Sequence, residues 1–395
     1  MLDKYFKSMP VLTEHVRGKP VAGPYPAALG EVFSTALFAA AEHEILQWPG
    51  YAPTPLRSLD RLAAELNIGA VLYKDESGRF GLGSFKALGG TYAVLRVLAE
   101  QTGAATLAGI RAGEHGAAVR EITVAAATDG NHGRSVAWGA RRAGCKCRIY
   151  IHRDVSRGRQ RAMEALGAEV VRTAGDYDDS VRVCAREAGE RGWHVVSDTS
   201  YPGHDQIPRD VMAGYGVMAS EILAEKAESP SHIILQAGVG GMAAALCARL
   251  WLALGANRPA VIVVEADRAP SLAASARAGV MQSVKIVEET VMAGLSCGEV
   301  SPLAWEVLRR CTDHFVTMAD DLVAPAMRCL ASGDLGGGVI EAGECSTPGL
   351  LTLIAAASDP ALRDTFGLDR DSRVLLIGSE GATDPDIYRA IMAAG

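Results

Sequence analysis

The sequence predicts an α/β protein, a parallel sheet covered by helices on both faces, and three observations carry that prediction. Short apolar runs of strand length alternate with segments of helical period over most of the chain. Two of those runs, Ile122 to Ala127 and Ile233 to Leu235, end in glycine-bearing turns that open directly into a helical segment, as a strand-turn-helix unit requires. At 395 residues, 49% of them hydrophobic, the chain supplies more than one core, so two domains are expected.

Residues 1 to 60 carry several prolines and glycines, including Gly18-Lys19-Pro20-Val21-Ala22-Gly23-Pro24, and read as an extended arm with helix between Ala28 and Gln47. Tyr51-Ala52-Pro53-Thr54-Pro55-Leu56 reads as a rigid extended connector, because each proline biases the residue before it away from the helical region. Strand-like runs follow at Val71 to Tyr73, Ile122 to Thr128, Cys147 to His152, Glu169 to Thr173, Trp193 to Ser197, His232 to Gln236, Ala260 to Glu265, His314 to Met318 and Arg373 to Ile377. Helical periods fill most intervals, at Phe85 to Ala99, Ser156 to Leu166, Tyr177 to Ala188, Arg209 to Ala227 and Met242 to Leu254. Three closely spaced strand signals place a small domain at residues 119–192, inserted in a large one made of 1–118 and 193–395. In such sheets ligands bind at the carboxyl ends of the strands.

Composition excludes several classes of partner. A net charge of −7 gives no basic face for nucleic acid and disfavours anionic lipid. Met1-Leu2-Asp3-Lys4-Tyr5-Phe6-Lys7 has charges where a signal peptide needs an apolar core, and no apolar run approaches the ~20 residues of a membrane span, so a cytoplasmic protein is expected. The eight cysteines form no Cys-x-x-Cys pair and have no histidine at metal spacing, so free thiols and no metal site are expected.

Four segments carry candidate chemistry. Lys86 follows Gly81-Leu82-Gly83-Ser84-Phe85 and precedes Leu88, Tyr92, Leu95 and Ala99, which puts it in the first turn of a helix. The positive end of the helix dipole disfavours a cation there. A lysine of lowered basicity suits Schiff-base chemistry, and Ser84 can cap the helix. Thr128-Asp129-Gly130-Asn131-His132-Gly133 presents side chains and amides where a strand gives way to a helix. Gly238-Val239-Gly240-Gly241 leaves the strand at Gln236 and opens another helix, whose amides can stabilise a phosphate. It lacks the spacing of a nucleotide P-loop or a dinucleotide fingerprint, so a smaller phosphate is preferred. Ser379-Glu380-Gly381-Ala382-Thr383 offers hydroxyls at the end of the last strand. Each segment also has a plain structural reading as a turn or a cap.

Together the four segments resemble the fold type II enzymes of pyridoxal 5′-phosphate, the tryptophan synthase β-like family. The resemblance implies two open, twisted, mostly parallel sheets, each flanked by helices, and a homodimer. In that family a Ser/Ala-x-Lys segment supplies the Schiff-base lysine, an Asn-His-Gly loop packs on the cofactor ring and binds the substrate carboxylate, and a glycine loop holds the phosphate. By motif and order those roles fall on Lys86 with Phe85, on Asn131, on Gly238, Val239, Gly240 and Gly241, and on Ser379 or Thr383 for the pyridine nitrogen. Ser84, Thr128, Asp129, Gly130 and His132 border the amino-acid substrate, His132 as a packed ring rather than a catalyst.

Within the family the likeness to the diaminopropionate ammonia-lyase group covers nearly the whole sequence. It rests on Lys74-Asp75-Glu76-Ser77 with Arg79-Phe80-Gly81-Leu82, Thr128 to Arg134, Asp198-Thr199, Met292 to Glu299 and Ser379 to Asp384. Asp129 is the telling position, since threonine and serine dehydratases place Ser or Ala there. The resemblance implies α,β-elimination from 2,3-diaminopropionate, the D-isomer, the L-isomer or both, giving pyruvate and two ammonia, with Lys86, Asp129 and Asp198 as acid/base residues. A serine or threonine dehydratase, another β-eliminating lyase of the same fold, and a non-catalytic sensor of cofactor or amino acid stand as alternatives. The chain departs from the family at Ala342-Gly343-Glu344-Cys345-Ser346-Thr347-Pro348, where a Ser-Gly-Glu-Ser loop is usual, and that puts the substrate rather than the reaction class in question.

Overall fold

The computed structural model describes residues 1–225 and 228–394, so the expected helix end at Ala227 lies outside the described residues. The chain divides into two compact units, one made of Met1–Val32, Pro53–Gly83 and Ala219–Gly395, the other of Phe33–Ala52 and Ser84–Met218. Each is built on its own sheet.

The larger unit contains β1 (Leu12–Arg17), β2 (Leu56–Ser58), β3 (Ala70–Asp75), β8 (His232–Gln236), β9 (Ala260–Ala266), β10 (His314–Met318) and β11 (Arg373–Gly378). Their order is β1-β10-β9-β8-β11-β3-β2. The five inner strands run parallel, and β1 and β2 pair antiparallel at the two edges. Every residue of β8 and of β10 is buried, as expected of a parallel strand covered on both faces. One core packs Val71, Tyr73, Ile234, Ile262, Val264, Val374 and Leu376 of the sheet against Leu350, Leu351, Leu353 and Ile354 of the helix Pro348–Ser358. The edge strands had no apolar signal because β1, Leu-Thr-Glu-His-Val-Arg, never fully buries a residue and β2 is short.

The smaller unit holds β4 (Thr123–Ala127), β5 (Lys146–Ile151), β6 (Glu169–Arg172) and β7 (His194–Val195) in the order β6-β5-β4-β7, all parallel. Its helices include α1 (Thr35–Ile45), α2 (Lys86–Thr102), α3 (Asn131–Ala143), α4 (Arg157–Glu164) and α5 (Tyr177–Arg191), with α6 (Gln206–Ala224) divided at Met218. In the larger unit α7 (Gly241–Leu254) follows β8 and α8 (Pro302–Cys311) precedes β10.

The smaller unit is therefore wider than the expected 119–192 insert, and close backbone packing is the reason. A Cβ on Gly139 of α3 would lie 3.0 Å from Thr91 Cα of α2, and one on Gly90 would lie 2.5 Å from Ser135 Oγ. Thr91 seals the contact, its amide donating to Ser135 Oγ at 3.0 Å and its hydroxyl to Ser135 O at 2.9 Å. Gly214 of α6 approaches Gly89 in the same way, and Phe38 of α1 fills the space beside Gly216. Spacing of apolar residues does not reveal that small residues on distant helices belong together.

A closed ionic cluster sits under the chain that leads to Lys86. Arg79 donates to both oxygens of Glu76 and both of Glu221, at 2.7 to 2.8 Å. Lys74 pairs with Glu221 at 2.6 Å and donates to the Thr54 carbonyl at 2.6 Å. Two cations face two carboxylates, all buried. Burial alone would raise Glu221, but its bonds to Arg79 and the charges of Arg79 and Lys74 outweigh it and hold the carboxyl below its ordinary value. Removing one partner of such a cluster strands a buried charge. Arg79→Met is expected to lower stability by about 3–5 kcal/mol in urea denaturation; a loss under about 1 kcal/mol would mean that Lys74 and Thr54 suffice for both carboxylates.

Candidate active site

In the smaller unit the candidate residues gather at the carboxyl ends of β4, β5 and β7. Lys86 is the first residue of α2, as expected, and Ser84 Oγ accepts its amide at 3.3 Å. Its ammonium lies 2.5 Å from Asp198 Oδ2, 5.4 Å from the centre of the Phe85 ring and 5.7 Å from that of Tyr215. The helix terminus is therefore not the only field Lys86 meets, since a carboxylate and two ring faces stabilise its charge. Burial would raise Asp198, but the Lys86 ammonium outweighs it, and the carboxyl sits well below the usual carboxylate range.

Asp198 is positioned by a short piece of sheet. Only His194–Val195 of the expected strand Trp193 to Ser197 pairs with β4. The Val196 amide then donates to Ala125 O at 2.8 Å, and Ser197 Oγ accepts the Thr199 amide at 3.1 Å, so the chain turns away with Asp198 on the bend. His132 is a buried, packed ring, as expected. Its Nε2 donates to Val196 O at 2.7 Å, and its Nδ1 lies 3.9 Å from Asp198 Oδ2. Burial lowers its pKa and keeps it neutral.

The loop after β4 separates into turn-binding groups and a carboxylate paired through one oxygen. Thr128 Oγ1 accepts the amides of Gly130 at 3.0 Å and Gly133 at 3.2 Å, which ties the end of β4 to the start of α3. Gly130 has φ +155°, and a Cβ there would lie 3.2 Å from Arg159 Cδ. Asn131 opens α3. Asp129 Oδ1 lies 3.0 Å from His152 Nε2. Sequence reading did not single out His152. The signal was in the register: Ala127 sits opposite Tyr150 in parallel strands, so residues 129 and 152 leave the sheet side by side.

The larger unit carries the glycine loop. Gly238 to Gly240 join β8 to α7, a helix of 14 residues that starts at Gly241. The amides of Gly238, Val239 and Gly240 donate to no acceptor among the described residues, and Gly241 is the first residue of the helix, whose amide has no intrahelical partner. Ser379 follows β11, the strand beside β8, and the register that pairs Leu376 with Ile234 extends to put Ser379 next to Ala237. Ser379 is buried, and its hydroxyl donates to Cys345 O at 3.2 Å. Thr383 lies farther along, just before the Asp384 cap of the helix Pro385–Ala393. The unusual Cys345-Ser346 segment is sewn to this loop: Ser346 Oγ donates to Glu380 O at 2.7 Å and accepts the Glu380 amide at 2.8 Å, and the Cys345 amide donates to Glu380 Oε1 at 3.1 Å. Glu265, near the end of β9, accepts the Leu272 and Ala273 amides at the start of the helix Ser271–Ala278, both at 2.8 Å.

These groups fit pyridoxal phosphate. Within the larger unit, uncommitted amides at a helix start suit a phosphate and a buried hydroxyl on the next strand suits a ring nitrogen; within the smaller unit, Lys86 supplies an amine. Among the described residues there is no cluster that could hold a metal ion and no helix long and apolar enough to cross a membrane.

Comparison with known proteins agrees. Residues 47–343 match the family described as pyridoxal-phosphate dependent enzyme. A diaminopropionate ammonia-lyase of Escherichia coli strain K12 is 39% identical over 356 residues, which cover 88% of each chain. The crystal structure of the Escherichia coli diaminopropionate ammonia-lyase with D-serine superposes with a TM-score of 0.89 at 35% identity, covering 98% of this chain and 99% of that one. The crystal structure of that lyase in complex with an aminoacrylate-PLP azomethine reaction intermediate gives 0.87 at 35% identity, with the same coverage.

Gly240 separates packing from ligand effects. Its φ is +92°, and a Cβ there would lie 2.9 Å from Leu308 Cδ1 and 3.2 Å from Ala304 Cβ of α8, so backbone and packing demand glycine before any phosphate does. Gly240→Ala is expected to cost roughly 1–3 kcal/mol of stability in the cofactor-free protein, read by thermal denaturation. Unchanged stability with weakened cofactor binding would instead assign the glycine to the phosphate.

Proposed function

We propose, from the premise that this chain belongs to the pyridoxal-phosphate-dependent enzymes and within them to the diaminopropionate ammonia-lyase family, that it converts 2,3-diaminopropionate to pyruvate and two ammonia, using Lys86 and Asp129 on opposite faces of Cα. The chemistry that pyridoxal phosphate supplies when bound is an electron sink for the pair left at Cα, which allows the β-amine to depart.

Lys86 would hold the cofactor through its side-chain amine, the amides of Gly238 to Gly241 its phosphate, and Ser379 its ring nitrogen, with Phe85 and Asn131 beside the ring. A hydroxyl leaves that nitrogen neutral, which favours prompt loss of a β-group. Once the substrate amine has replaced it, the Lys86 amine is free to take the Cα proton of the L-isomer. Asp198 stays ionised beside Lys86 and holds the amine in place. Asp129 takes the Cα proton of the D-isomer from the other side.

The observation that carries this reading is the unequal commitment of two carboxylates. Asp198 is tied to Lys86, whereas Asp129 Oδ1 meets only His152 and Oδ2 has no partner among the described residues. A 25% exposed side chain with one oxygen unbound is poised to accept a proton. A homodimer in the cytoplasm belongs to the same reading and rests on the family resemblance.

The test is pyruvate formation from D- and L-diaminopropionate, with serine and threonine for comparison, by wild type and Asp129→Asn. The amide keeps size and hydrogen bonding but cannot take the proton. The D-rate should fall by ~10²–10⁴-fold while the L-rate falls far less. Equal losses on both isomers would make Asp129 a binding or turn residue, and turnover of serine alone would move the substrate assignment.

A further inference from the structure

We propose that His152 is the positioning residue for Asp129, holding one carboxylate oxygen with a fixed N–H donor so that the other faces the D-substrate. The inference rests on the reading of Asp129 as the base for the D-isomer.

His152 is anchored from both sides. Its Nδ1 accepts the Asp154 amide proton at 3.3 Å, which requires a lone pair on Nδ1 and so places the ring's single proton on Nε2. That nitrogen lies 3.0 Å from Asp129 Oδ1. The turn that brings the Asp154 amide is itself locked, because Arg172 Nη1 of β6 donates to the carbonyls of His152 at 3.2 Å, Arg153 at 2.7 Å and Val155 at 2.7 Å. Rigid sheet therefore leads through the turn and the imidazole to the carboxylate. A further charged group near the ring is Asp154 Oδ2, 3.8 Å from Nδ1 on an exposed side chain.

A donor on Oδ1 fixes the rotation of the carboxylate. In the proton transfer the Cα–H bond breaks, its electron pair stays on Cα, and the proton bonds to Asp129 Oδ2. The His152 hydrogen bond to Oδ1 persists throughout. L-substrate, deprotonated by Lys86, makes no demand on this arrangement, so His152 should affect one stereoisomer only.

The experiment measures kcat and KM of the holoenzyme on both isomers for His152→Ala, His152→Gln, Asp129→Asn and the double variant Asp129→Asn/His152→Ala. Loss of one charge-assisted hydrogen bond corresponds to roughly a tenfold change in rate. His152→Ala should lower kcat on the D-isomer by about that factor with KM and the L-rate nearly unchanged, and His152→Gln, whose amide N–H reaches the same place, should restore most of it. In the Asp129→Asn background His152→Ala should have no further effect on the D-rate. Equal losses on both isomers, no rescue by glutamine, or an additive loss in the double variant would overturn the proposal while leaving the base role of Asp129 intact. An unchanged D-rate in Asp129→Asn would overturn that role, and the proposal with it.

Discussion

A lysine ammonium on the first residue of a helix is electrostatically misplaced, and the Asp198 carboxylate 2.5 Å away compensates it. Much of the smaller unit serves that contact. Asp198 reaches Lys86 only because β7 stops after two residues, Val196 closes the pairing with Ala125, and His132 from α3 grips the Val196 carbonyl. α2 in turn is seated on α3 by Gly90, Gly139 and the Thr91–Ser135 bonds. Because Lys86 holds Asp198 below its ordinary range, the pair stabilises the fold above the carboxyl's unfolded value and is lost only as pH falls through its lower folded value. Across the neutral range the amine keeps its partner.

The chain uses charge in two ways, and hydrogen-bond saturation tells them apart. In the cluster of Lys74, Glu76, Arg79 and Glu221, both carboxylates meet donors on each oxygen, and no charge faces water. Such a cluster fixes the course of the chain ahead of Lys86, with Phe80 held at φ +51°. Lys86, Asp198 and Asp129 are instead 18 to 25% exposed at the side chain. Closed sets hold shape, and open ones are available for chemistry.

Strand and helix alternation made the α/β class and most inner strands legible, because buried parallel strands are continuous apolar runs such as His232–Gln236 and His314–Met318. β1 and β2 were not, since an edge strand keeps polar residues and takes its place from its neighbour. The glycine loop, Asp129 and Ser379 stood out as candidates because each follows a strand, and Lys86 because it opens a helix after a glycine-rich turn. His152 did not stand out, since its place beside Asp129 depends on which strand lies next to β4. Residue types likewise did not reveal that Thr128, expected beside the substrate, binds the Gly130 and Gly133 amides. The compact unit reaches beyond residues 119–192 through glycine contacts between distant helices, which leave no period in the sequence.

The account stands on Lys86 as the residue that carries the cofactor. Borohydride reduction of the holoprotein, followed by peptide mass mapping, tests this most directly, because reduction fixes the cofactor to the amine it has engaged. One phosphopyridoxyl adduct, on the peptide that contains Lys86, is the predicted result. An adduct on Lys74 or any other lysine, or none on a protein that retains its cofactor, would contradict the account.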